Sequence, residues 1–155
     1  MNKGKRICRI AGTVLGIIYL AVLGYLLFFS QTYRVNSTEY QYNMIPFHEI
    51  RRYAGKTGLV SLTNLFGNVL AFVPFGFLVT IVSGYRLKWP VAVALCLAAP
   101  VAVELLQLVT RVGICDVDDV ILNFAGGLIG LGLYELAALI NRRLHRDCGP
   151  DGNPS

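Results

Sequence analysis

Four long apolar segments constrain this chain more than any other feature of its sequence. They are Ile10–Phe29, Leu65–Val82, Val91–Val109 and Ile121–Ile140. A helix needs roughly 20 predominantly apolar residues to cross a bilayer, and only helices and closed barrels satisfy their backbone hydrogen bonds within lipid. Because the chain lacks the alternating pattern of barrel strands, the sequence predicts an all-α integral membrane bundle with four transmembrane helices.

The composition agrees with a membrane protein. Of the 155 residues, 55% are hydrophobic and only 15% are charged, whereas a soluble domain has about 25% charged residues. The basic residues are split among short segments and form no basic face, which excludes a nucleic-acid partner. The first apolar segment is longer than that of a signal peptide and has no small-residue cleavage site after it, so we expect an uncleaved helix.

The distribution of Lys and Arg predicts the orientation. With four spans, nine of these residues lie on the side of both termini and five lie on the other side. Short basic loops stay in the cytoplasm, so both termini are predicted to be cytoplasmic. The chain then divides into a basic N-terminus (1–9), a transmembrane domain (10–140) and a cytoplasmic tail (141–155). The tail is expected to be disordered, because its end is polar and rich in Gly and Pro.

The long outer loop, residues 30–63, contains an apolar stretch that a simple linker does not need. Met44–Phe47 is followed by a charged and aromatic run, His48–Tyr53. This pattern predicts a short amphipathic helix that either lies on the membrane or caps the outer mouth of the bundle, with the His48 loop as a lid.

Polar residues cluster at the predicted outer ends of the last three apolar segments, whereas Glu135, toward the inner end of the fourth, is assigned no role. They come in groups spaced three or four residues apart, which places each group on one helical face. Polar side chains within spans are costly and tend to mark function, so we expect them to meet in an outward-facing pocket. The candidate ligand-binding residues are Asn64, Asn68, Glu104, Gln107, Arg111, Asp116, Asp118, Asp119 and Asn123.

A second set of residues is assigned to helix packing. Pro74 removes one backbone hydrogen bond and is expected to kink its helix. Gly126 and Gly130 form a GxxxG pair, which lets two helices approach closely, here against the second span. The packing set is Gly67, Phe72, Pro74, Gly76, Gly126 and Gly130.

Metal binding and catalysis are alternatives for the same acids. Three aspartates and Glu104 offer the oxygen ligands that Ca²⁺ or Mg²⁺ prefers, but the EF-hand pattern is absent. Asp119 also suits a helix N-cap or first turn. We therefore assign no metal site or cofactor and leave a divalent cation as an alternative. No GxSxG, HExxH or Cys/His pair is present, so an enzyme would have to use Glu104 as its acid or base.

Two motifs resemble the VanZ-like family. NLFGNVLAFVPFGFL (Asn64–Leu78) is similar to the family pattern N-x-x-G-N-x-x-x-F-x-P-x-G. ELLQLVTRVGICDVDDVILNFAGGLIG (Glu104–Gly130) is similar to E-x-x-Q, an acid-rich turn ending in D-D, and N-x-x-G. Relatives often have Arg nearer the acids, near the position of Gly113, so the resemblance does not carry a role directly onto Arg111. They also often have Thr after the motif asparagine, where this chain has Phe124. The resemblance implies a small multi-pass protein of the bacterial plasma membrane. The family's namesake is associated with resistance to teicoplanin, a lipid-tailed glycopeptide.

Three functions follow from these observations. The first is a binding protein whose outward pocket holds the head group of a membrane lipid or a lipid-linked cell-wall precursor and contributes to teicoplanin-type resistance. The second is a membrane enzyme that acts on a lipid-linked envelope substrate. The third is a structural membrane protein in which the polar cluster only fixes helix packing.

Overall fold

The computed structural model describes residues 3–29, 42–55, 59–83, 87–111 and 114–147. These residues form α1 (Lys3–Phe29), β1 (Tyr42–Asn43), α2 (His48–Ala54), α3 (Leu59–Val82), α4 (Trp89–Thr110), β2 (Cys115–Asp116) and α5 (Val117–Asp147). The four long helices are long and apolar enough to cross a membrane, which confirms the predicted bundle. The short helix predicted in the long loop is also confirmed, as α2.

The long helices extend beyond the apolar segments that revealed them. α3 begins at Leu59 rather than Leu65, and α5 continues to Asp147. Asn141–Asp147 is therefore helical, whereas the sequence predicted disorder from residue 141 onward. The helix continues because no Gly or Pro interrupts the chain before Gly149. Residues 148–155 of the predicted tail lie outside the described residues.

α3 and α5 form the centre of the bundle and run parallel to each other. A methyl group added at Gly126 would overlap the carbonyl oxygen of Val69, and one added at Gly130 would overlap that of Val73. The GxxxG pair thus lies against α3, where the two backbones approach so closely that only a hydrogen fits between them. Gly76 of α3 meets α5 in the same way.

α4 packs mainly against α5, and α1 packs mainly against α3. Cys96 of α4 is fully buried and would lie 3.0 Å (Cβ) from a methyl group added at Gly127 of α5. The Tyr19 hydroxyl of α1 donates a hydrogen bond to the Ala71 carbonyl oxygen of α3 (2.7 Å). α1 contacts the rest of the bundle mainly through α3, so most of its apolar side chains are exposed, as those of a helix that faces lipid would be.

The remaining packing residues occupy different environments. Phe72 is 1% exposed and lies in the centre of the bundle. Pro74 is exposed, and α3 continues through it to Val82. At Gly67, an added methyl group would meet nothing within 4 Å, so in the described part of the chain no close contact requires a glycine there.

Candidate functional site

A short strand pair joins the extramembrane segment 42–55 to the bundle. β1 pairs in parallel with β2, with Tyr42 opposite Cys115 and Asn43 opposite Asp116. β2 is followed directly by α5, so the pair lies at the end of the bundle where α3 and α5 begin. The sequence did not predict either strand, because two residues are too few to show an alternating pattern.

Asp116 connects three parts of the chain. Its carboxylate oxygens accept hydrogen bonds from Asn43 Nδ2 at 3.3 and 3.2 Å. Oδ1 also accepts from the Asp118 N–H (2.9 Å), the bond that a helix N-cap residue makes. The Asp116 N–H donates to Glu104 Oε2 of α4 (2.9 Å). The extramembrane segment, α4 and α5 therefore meet at this one residue.

Asp118 holds α2 in place from the first turn of α5. Its side chain is fully buried. Oδ1 accepts from the Phe47 N–H, and Oδ2 accepts from the N–H groups of Glu49 (2.8 Å) and Ile50 (3.1 Å). These donors precede or open α2 and have no partner within that helix. Phe47 has a left-handed backbone (φ 63°), a conformation that non-glycine residues keep only where their surroundings fix it.

Asp119 makes the third connection, to α3. Asn68 Nδ2 donates to Asp119 Oδ1, so the predicted Asn68 and Asp119 side chains do meet. Glu104 accepts from the Asp116 backbone. Asp119 lies in the first turn of α5, as predicted, while Asp116 makes the N-cap bond. We call the connected set the polar junction: Asn43, Asn68, Glu104, Asp116, Asp118 and Asp119.

The other predicted site residues lie around the polar junction. Gln107 follows Glu104 by one turn and is 4% exposed. Arg111 caps the C-terminus of α4 with a left-handed backbone (φ 56°), and its side chain is exposed. The side chain of Asn64 lies outside the described residues. Asn43 was missed by the sequence analysis. The sequence feature that could have identified it is an asparagine in a turn, because its Oδ1 accepts from the Ile45 N–H (3.2 Å).

Asn123 is the anomalous residue of the site. It follows Asp119 by one turn on the same face of α5 and is 3% exposed. Its Oδ1 is buried without a hydrogen-bond partner, and it is the one such side-chain atom among the described residues. A buried acceptor without a partner costs about 1–3 kcal/mol. Each such atom requires an explanation.

The polar junction is rich in acids and poor in bases. It contains the carboxylates of Glu104, Asp116, Asp118 and Asp119, whereas every Lys or Arg whose side chain is described is exposed. The four acids accept hydrogen bonds from different donors. Among the described residues, no three His, Cys, Asp or Glu side chains are grouped as metal ligands would be.

The fold and the polar junction define a four-span helical membrane protein whose extramembrane segment is hydrogen-bonded to buried acids of the spans. The chain belongs to the VanZ/LLP1 family, whose profile matches residues 16–138 and so contains the whole junction. This confirms the resemblance seen in the motifs. The chain is 29% identical to "Protein VanZ" of Enterococcus faecium over 124 residues, which cover 77% of this chain and 71% of the relative. No solved structure matches the chain.

The reactivity of the Cys115 thiol tests whether β1 and β2 pair. Cys115 is 5% exposed, and burial, together with the nearby Glu104 and Asp116 carboxylates, raises its pKa. A raised pKa leaves less of the reactive thiolate at neutral pH. We expect maleimide to modify Cys115 slowly in a variant with Cys8, Cys96 and Cys148 replaced by serine, as followed by mass spectrometry. In the matched control, Cys115 is also serine and Ile114→Cys supplies a 48% exposed position. Equal rates at the two positions would contradict the pairing.

Proposed function

We propose that this chain is a bacterial plasma-membrane protein that binds the head group of an envelope lipid or lipid-linked cell-wall precursor at the polar junction. The observation that carries the proposal is the buried, unpartnered Oδ1 of Asn123. A bound molecule that donates a hydrogen bond to this atom would remove the cost of leaving it unsatisfied.

The position of Asn123 favours a head group over a fully water-soluble ligand. Asp118 and Asp119 lie at the start of the last span, where Asp118 bonds to the extramembrane segment. Asn123 lies about one helical turn further along this span. A lipid can bring a polar group to that depth while its tail remains in hydrocarbon. Polar residues within spans are also rare unless they serve a substrate or ion.

The family resemblance supports a role in antibiotic tolerance. Teicoplanin carries a lipid tail and acts on a cell-wall precursor at the outer face of the membrane. A protein that binds an envelope head group at that face would change what the antibiotic can reach. We therefore propose that the chain contributes to glycopeptide tolerance, with both termini in the cytoplasm and the polar junction outside.

Asn123→Leu tests the proposed site. The substitution replaces the buried amide with an apolar group of similar size, so it removes the unsatisfied acceptor and is expected to leave the thermal stability equal or higher. Loss of the hydrogen bond to a bound head group should lower the amount of the enriched lipid about tenfold. The measurement is lipid mass spectrometry of protein extracted with its native lipids, together with the teicoplanin tolerance of the expressing host.

Asn141→Leu is the matched control, because Asn141 lies on the same helix and is exposed. It should change neither the lipid content nor the tolerance. If Asn123→Leu leaves both unchanged at equal protein levels, the polar junction only fixes helix packing and the proposal fails. If a lipid is instead converted into another and Glu104→Gln stops the conversion, the enzyme alternative replaces the binding function.

A further inference from the structure

We infer that the group bound at the polar junction is a primary ammonium, as in an ethanolamine phospholipid. This inference rests on the proposed binding function and adds the chemical class of the ligand. It starts from the balance of hydrogen-bond donors and acceptors between Asp119 and Asn123.

The buried polar atoms of this region are mostly acceptors. In the described part of the chain, Glu104 accepts a hydrogen bond from the Asp116 N–H, and Asp119 accepts one from the Asn68 amide. A carboxylate offers about four acceptor positions, and the Oδ1 of Asn123 adds an acceptor that has no donor. A ligand that fits this region must therefore supply donors.

The charge of the region selects the kind of donor. Four carboxylates lie in the polar junction, and every described Lys and Arg side chain is exposed. The charge of Arg52 acts on Asp116 from an exposed position. Burying acidic groups is costly, so a cationic ligand is favoured over a neutral hydroxyl, and an anionic group is disfavoured. A metal ion would need grouped ligands, and the described residues contain no such group.

A primary ammonium meets both requirements. It carries one positive charge and three N–H donors, enough for Asn123 Oδ1 and for carboxylate oxygens one turn away. A trimethylammonium has the charge but no donor. The phosphate of an ethanolamine lipid would lie on the outer side of the ammonium, at the end of the bundle where Arg51 and Arg111 are exposed.

The test uses the purified full-length chain in detergent and three short-chain phospholipids that differ only in the head group. These carry ethanolamine, choline or glycerol. We expect the ethanolamine lipid to bind about tenfold more tightly than the other two, as measured by titration calorimetry. Asn123→Leu should abolish this preference, while Asn141→Leu should keep it. Asn123→Ala serves as a second variant, with size-exclusion chromatography to confirm that each variant is folded.

Free ethanolamine distinguishes the source of the ammonium. Competition with the ethanolamine lipid supports a site that also accepts soluble amines, whereas lack of competition supports an ammonium that must be carried by a lipid. The wild-type chain could instead bind the ethanolamine and choline lipids with equal affinity, and Asn123→Leu could abolish both. That result would overturn the inference that the ligand is a primary ammonium and leave the proposed binding function intact. If no lipid shows binding that depends on Asn123, both proposals fail.

Discussion

Gly130→Ala is expected to destabilise the bundle strongly, whereas Gly132→Ala, two residues away on the same helix, is not. The added methyl group at Gly130 would overlap the Val73 carbonyl oxygen and lie 2.8 Å from the Phe77 nitrogen. Both atoms belong to the α3 backbone, so the strain can be relieved only by separating the two central helices. Overpacking typically costs about 1–3 kcal/mol, and a clash between backbones belongs at or above the upper end of that range.

Gly132 provides a matched control for the same substitution. It is exposed, and an added methyl group there would meet nothing within 4 Å. Alanine is also the better helix former by about 0.5–1 kcal/mol, so Gly132→Ala should be neutral or slightly stabilising. Thermal unfolding in detergent measures both variants, and Gly126→Ala should behave like Gly130→Ala because it meets the Val69 carbonyl oxygen. Similar unfolding temperatures for Gly130→Ala and Gly132→Ala would contradict the α3–α5 contact.

The bundle itself could be predicted from sequence because the thickness of the membrane sets the length of a span. The four apolar segments therefore identified the four helices of the described chain that are long and apolar enough to span a membrane. The ends of the helices were less predictable, since a helix that leaves the membrane loses its apolar pattern but keeps its hydrogen bonds. α5 shows this over Asn141–Asp147, and α3 shows it before Leu65.

The polar junction could be predicted only in part. Helical spacing placed the polar residues of each span on one face, and shared depth indicated that these faces meet. Spacing does not determine which groups bond with each other: Asn68 donates to Asp119, whereas Glu104 accepts from the Asp116 backbone. The partners of Asp118 could not be predicted at all, because they are backbone N–H groups about 70 residues earlier in the chain. Every residue except proline has a backbone N–H donor, so the residue types in a sequence do not indicate which of these donors binds a side chain.

Asp118→Ala is expected to release the extramembrane segment 42–55 from the bundle. The substitution removes the acceptor of three backbone N–H groups, and hydrogen bonds to a charged group contribute about 1.5–3 kcal/mol each. The left-handed backbone of Phe47 also loses the contact that fixes it. Hydrogen–deuterium exchange should show that Phe47, Glu49 and Ile50 lose their protection, while α3 and α5 keep theirs. Maleimide should then modify Cys115 more rapidly, because its partner strand, β1, ends only four residues before Phe47.

Two further variants separate the role of the carboxylate from general effects of substitution. Glu135→Ala removes an exposed acid from the same helix and should leave exchange in 42–55 unchanged. Asp118→Asn keeps one acceptor oxygen and should give an intermediate effect, because an amide can satisfy only part of the set. If Asp118→Ala leaves exchange in 42–55 at the wild-type rate, the three hydrogen bonds do not hold the segment. If the segment is released and the Asn123-dependent lipid preference persists, the segment contributes no part of the binding site, and the ligand is held by the spans alone.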